Sequence, residues 1–252
     1  MNIVKASDPD TLEYTNLLVK RDALKKEAVS IRIEYLQLFG DLMVKNYRAK
    51  VECIRCKKII AFIQAALNRG EQPDRKEMLA RIQKEMEVYR DRLLQMQEDA
   101  ARAAKAERSS AEDVEKSKQI YRRLAKRLHP DICRETGSDG PLKELWLSIT
   151  EAYYANDAKL LSELEILANR LLTDMGRDGL QIDIPDIKGR IIELRAEIEE
   201  IMTTEPWILR YIIEDPEETE NKTAELKEET EAYLRHAEEL QQVIDRLQDQ
   251  GG

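Results

Sequence analysis

The sequence predicts an all-α protein, and three observations carry that reading. The 252 residues include only 9 glycines and 7 prolines, fewer than the roughly 7% and 5% of an average chain, so turns are scarce and elements are long. Charged residues make up 36% and aromatic residues 5%. That is the profile of long helices and coiled coils, not of a β-sandwich, a barrel or a Gly-loop α/β enzyme, all of which need many turns. Apolar residues recur in alternating steps of three and four over long stretches, the seam of packed helices. Two Phe and two Trp are few for one large core. The expectation is a long antiparallel helical hairpin over 8–108, a small module over 109–176 and a C-terminal helical hairpin over 186–249.

The elements follow in order. Asp8-Pro9-Asp10-Thr11 reads as a helix start, with Pro in the first turn and acids near the positive helix end. From Leu12 to Asn68 there is no Pro and only Gly40, so one helix is expected there. Leu17, Leu24, Ile31 and Leu38 hold one heptad register, and Tyr14, Ala28, Tyr35, Leu42, Ala49, Cys56 and Ile63 hold a second. Gly70 and Pro73 mark a turn. Met78, Ile82, Met86, Tyr89, Leu93, Met96, Ala100 and Ala103 form the returning arm. Ser109-Ser110 is a joint or N-cap. Helices are then expected up to Leu128, from Pro141 to about Asn156, and on to about Asp174. Gly176 to Gly179 reads as a boundary and 181–185 as an extended link. Ile187, Ile191, Leu194, Ile198 and Ile201 start another arm, and Leu226, Thr230, Tyr233, Ala237, Leu240, Ile244 and Leu247 close the chain.

Composition bounds the function. No stretch approaches the roughly 20 apolar residues that span a bilayer, and Met1–Thr11 lacks the apolar core of a secretory signal. Three cysteines cannot all pair within one chain, which points to a reducing, cytoplasmic setting. The net charge of −9 disfavours nucleic acid as a partner. No Ser-His-Asp set and no phosphate-binding Gly loop is present, so no enzymatic activity, catalytic residue, cofactor or metal is expected.

One segment reverses the overall charge. Lys116, Lys118, Arg122, Arg123, Lys126 and Arg127 share a short helix with no acid between residues 116 and 127, while Tyr121, Leu124 and Leu128 share its apolar face. Pro130 disfavours helix at His129, so His129-Pro130-Asp131 is expected in an exposed loop beside a basic face. Leu142, Leu145, Trp146, Ile149, Tyr153 and Leu160 supply an apolar stripe that can pack antiparallel on the first helix.

At these residues the sequence resembles the DnaJ-type J domain. Tyr121-Arg-Arg-Leu-Ala-Lys-Arg-Leu-His129-Pro130-Asp131, followed by Trp146-x-x-Ile149-x-Glu151-Ala152-Tyr153, is similar to helix II, the His-Pro-Asp loop and helix III of that family. The resemblance covers about 45 residues. It implies a co-chaperone that docks on a DnaK-type ATPase chaperone and stimulates ATP hydrolysis, promoting capture of client polypeptide. By resemblance His129, Pro130 and Asp131 are the essential loop, Arg122, Arg123, Lys126 and Arg127 the docking face, and Tyr121, Leu124, Leu128, Trp146, Ile149, Ala152 and Tyr153 core. Departures are specific. Helix I with its Tyr-x-x-Leu-Gly motif is not recognisable before Ser109, Ile132 and Cys133 replace the usual Lys-Asn type, and no Gly/Phe-rich linker or zinc-binding cysteine repeat follows. The end of the returning arm, near 89–94 or 100–106, is the expected substitute for helix I. Burial of His129 away from solvent would overturn the J-like function.

Other readings stand beside this one. The alternative is a structural coiled-coil adaptor with a degenerate J-like module, and a third is an anion-binding helical protein using the 116–127 face. The coiled coils leave homo-oligomerisation open. Cys53-x-x-Cys56 lies inside a helix with no completing ligands, so packed cysteines are expected over a metal or redox site. The cation-rich stretch 45–58 and the acidic stretch 214–231 read as solvated faces. Trp207–Ile213 is expected to fold back on the last helix.

Overall fold

A computed structural model describes residues 9–107, 109–138, 140–174 and 184–250. The protein is all-α, with no strand among the described residues. The order is α1 (Pro9–Asn68), α2 (Arg75–Glu85), α3 (Glu87–Lys105), α4 (Ala111–Leu128), a single turn α5 (Arg134–Gly137), α6 (Pro141–Tyr154), α7 (Ala158–Asp174), α8 (Ile187–Thr203), a 3₁₀ turn (Trp207–Leu209), α9 (Arg210–Glu214) and α10 (Pro216–Gln250). Among the described residues no helix is long and apolar enough to cross a membrane.

The punctuation behaves as its chemistry requires. Gly70 ends the turn after α1 with a positive φ of 73°, a conformation that costs glycine little. Asp74 caps α2 by accepting the N–H groups of Lys76 and Glu77, and Ser110 caps α4 by accepting that of Asp113 at 3.0 Å. The boundary at 176–179 and most of the 181–185 link lie outside the described residues.

The chain divides into two compact units, and the division crosses the three consecutive segments read from the sequence. One unit joins Met1–Ser30 to Glu107–Ile208, and the other joins Ile31–Ala106 to Leu209–Gly252. The segments 8–108 and 186–249 are therefore not self-contained. A heptad stripe specifies that a helix needs a partner but does not specify which one. Here α8 buries Ile191 and Leu194 with Tyr14 and Leu18 at the start of α1, while α10 buries Ile244 in the second unit.

In the first unit α4, α6 and α7 enclose a core of Tyr121, Leu124, Leu128, Trp146, Ile149, Tyr153, Leu161 and Leu172. The stripe differs from expectation at one place. α6 stops at Tyr154, so Leu160 belongs to α7 and is 39% exposed, while Leu161 is the buried residue. In the second unit the later part of α1 contributes Cys56, Ile59 and Ile63, α2 contributes Met78 and Ile82, and α10 contributes Ile244. Gly40 lies so close to α3 that a Cβ built on it would sit 3.0 Å from that of Ala100. Within this unit α9 packs on α10, and Thr219 on α10 donates to the carbonyl of Ile212 at 2.7 Å. Cys53 and Cys56 are buried thiols. Burial, with Glu52 nearby, pushes the ionisation of both upward, which suits packing rather than ligation.

Candidate functional site

The site lies in the first unit, where α4 ends. The helix stops at Leu128 because Pro130 follows His129, whose ψ of 131° turns the chain outward. The loop closes tightly, since the N–H groups of Ile132 and Cys133 both donate to the carbonyl of His129 at 2.8 Å. Beneath it lies an aromatic stack. Tyr121 and Tyr153 are parallel with ring centroids 3.9 Å apart, Trp146 lies 5.7 Å from Tyr121, and the His129 ring meets Trp146 edge-on at 5.2 Å.

The element covering this loop is the beginning of α1, which sequence reasoning did not place here. Its substitute for helix I was sought near 89–94 or 100–106, residues that belong to the second unit. Instead Asp22 on α1 accepts the Tyr121 hydroxyl at 2.8 Å and both Nε and Nη2 of Arg21, at 3.0 and 2.8 Å. Its Oδ2 also lies 3.4 Å from His129 Nε2. The Asp131 backbone N–H donates to His129 Nδ1 at 3.1 Å, and His129 Nε2 faces Arg21 Nη2 at 3.1 Å as well as the Asp22 carboxylate. Burial pushes the Asp22 carboxyl upward, but its hydrogen bond with His129 and the Arg21 charge outweigh this and hold it below the usual carboxylate range. Burial and the Asp22 charge push the Tyr121 phenol upward, so it stays a donor.

The expected site residues are distributed unevenly. His129 is buried, its side chain only 8% accessible, whereas an exposed loop residue was expected. The reason is α1, whose acid-base pair closes over the imidazole. Pro130 is half-buried and Asp131 exposed, with the Asp131 carboxylate 3.4 Å from Arg21 Nη1. Arg122 is exposed and reaches Asn16 at 3.4 Å. Arg123 is held by two hydrogen bonds to Glu165 on α7, at 2.7 and 2.8 Å, and Arg127 bonds Asn169 on α7 at 2.5 Å. Lys126 is half-buried. The basic face is thus partly tied to α7. The seven core residues implied by the resemblance are all buried.

Ile132, where the sequence departs from the family pattern, is buried with Tyr14 and Leu18 of α1 and with Ile191 and Leu194 of α8. An apolar residue directly after the tripeptide was the one signal that the loop is covered. Arg21 and Asp22 gave none, because a charged pair in a charge-rich helix reads as solvated surface. Lys26, one turn further along α1, is 5% exposed, bonds Asn156 Oδ1 at 2.5 Å and lies 3.8 Å above the Tyr153 ring. Burial, together with the Lys118 charge, pushes its ammonium down to about 8. Among the described residues no group of acids, histidines and cysteines could hold a metal ion.

Comparisons with protein-family models, with curated proteins and with solved structures find no match.

Proposed function

We propose that the first unit is a J-like docking module and that the chain is a co-chaperone for a DnaK-type ATPase. It engages that partner through His129, Pro130 and Asp131 with Arg122, Arg123, Lys126 and Arg127, and the helices of the second unit serve targeting or client binding. One observation carries the reading: a basic helix ends in the His-Pro-Asp loop and packs through Tyr121, Leu124 and Leu128 on Trp146, Ile149 and Tyr153, with Asp131 exposed in the loop and Arg122 exposed two turns before it on the helix. Three buried thiols fit action in a reducing compartment such as the cytoplasm.

The burial of His129 overturns a loop that works in the arrangement described, so the co-chaperone reading requires the start of α1 to lift from it. The burial favours a second reading, a helical adaptor in which the tripeptide is a structural joint. Single-turnover ATP hydrolysis by a DnaK-type ATPase separates the two. Co-chaperone action predicts stimulation by the chain that His129→Gln and Asp131→Asn abolish. Absence of stimulation by the wild type and by every variant that uncovers His129, or equal stimulation by the loop variants, leaves the adaptor reading.

A further inference from the structure

We propose that the start of α1 is an intramolecular latch on the loop, so that Arg21 and Asp22 compete with the docking partner for His129 and Asp131. The inference rests on the reading of the loop as a docking element and adds its regulation.

The contacts form one connected set. Asp22 receives Arg21 through Oδ1, and its Oδ2 receives the Tyr121 hydroxyl and faces His129 Nε2. Arg21 extends the set to Asp131 at 3.4 Å and to Glu197 on α8 at 3.6 Å, and Lys25 bonds the same Glu197 at 2.6 Å. Both polar members of the tripeptide are therefore engaged by adjacent residues of one helix turn. The turns before it are seated by Tyr14 and Leu18 against Ile132, which places the latch and ties its position to the loop itself. A partner that needs the imidazole must displace Asp22, so its apparent affinity is its intrinsic affinity multiplied by the fraction of molecules in which α1 has lifted. The latch is polar where it meets His129 and apolar one turn away. A change at Asp22 therefore removes the polar hold and lets this turn of α1 lift from the imidazole more often, while the apolar seat at Tyr14 and Leu18 still guides its return.

The test uses the chain's two histidines. The His129 side chain is 8% accessible and that of His236 is 42% accessible, so His236 is an internal reference within the same molecule. Carbethoxylation of each imidazole by diethyl pyrocarbonate, followed peptide by peptide, reports the latch with no partner present. The latch predicts slow modification of His129 in the wild type. In Asp22→Asn it predicts a rise of about tenfold, equivalent to roughly 1.4 kcal/mol of lost hold, with His236 unchanged. Arg21→Gln, which keeps the Tyr121–Asp22 bond, predicts a smaller rise in the same direction. Equal rates for His129 and His236 in the wild type would overturn the latch. So would continued protection of His129 in both variants when tryptophan fluorescence shows them folded. A variant that exposes His129 yet leaves a DnaK-type ATPase unstimulated keeps the latch and removes the docking reading, so the two claims fail separately.

Discussion

Replacing Lys26 by Met removes a charge that the fold buries at a cost, and the structure sets the size and the pH dependence of the gain. Lys26 is 5% exposed, and among the described residues no carboxylate pairs with its ammonium. Its partners are the Asn156 side-chain oxygen and the face of Tyr153. A fall from 10.5 to about 8 corresponds to about 3 kcal/mol at pH 7. The lost Asn156 bond and cation–π contact offset about 1–2 kcal/mol of this, so Lys26→Met is expected to stabilise the first unit by about 1–2 kcal/mol at pH 7. The sign with pH is fixed. The folded-state value lies below the unfolded one, so above about pH 8 the unfolded chain binds the extra proton and wild-type stability rises towards pH 10.5. Raising the pH from 7 to 9.5 therefore shrinks the variant's advantage by up to about 2 kcal/mol. Both tryptophans, Trp146 and Trp207, lie in the first unit, so urea unfolding followed by tryptophan fluorescence at the two pH values reads this unit selectively. A stability difference that does not change with pH would refute the argument, as would a variant less stable than the wild type by the same amount at both.

Two further predictions concern packing. Gly40→Val forces a side chain into the 3.0 Å approach to Ala100 and is expected to destabilise the second unit by about 1–3 kcal/mol. Ala100→Gly should restore part of this in a double-mutant cycle read by circular dichroism. Ile149→Ala empties a fully buried position in the α4–α6–α7 core and is expected to cost about 2–5 kcal/mol in urea unfolding of the first unit.

The helices were largely legible in the sequence because their causes are local. Scarce breakers set α1 from Pro9 to Asn68, Gly70 and Pro73 set the turn, and Ser110 set the start of α4. The core around Tyr121, Trp146 and Tyr153 followed from apolar spacing and from the family resemblance. Partner choice was not legible. Within the α1 register Leu24 and Ile31 are buried while Leu38 is 47% exposed, although Ile31 and Leu38 belong to the same unit. The C-terminal arms share heptad spacing, yet α8 seats on Tyr14 and Leu18 and α10 on the Ile59–Ile63 stretch. The same non-local choice hid the covering of His129. Asp22 becomes a hydrogen-bond hub only when Arg21, Tyr121 and His129 converge on it, and 99 residues separate it from Tyr121.

The central claim is that the loop is a docking element covered by α1. It is tested most directly by single-turnover ATP hydrolysis of a DnaK-type ATPase with the wild type, Asp22→Asn and the double variant Asp22→Asn/His129→Gln. The account predicts that Asp22→Asn stimulates more strongly than the wild type at the same sub-saturating concentration, and that adding His129→Gln abolishes the stimulation. Stimulation that survives in the double variant, or no stimulation by Asp22→Asn when its His129 is demonstrably exposed, would contradict it.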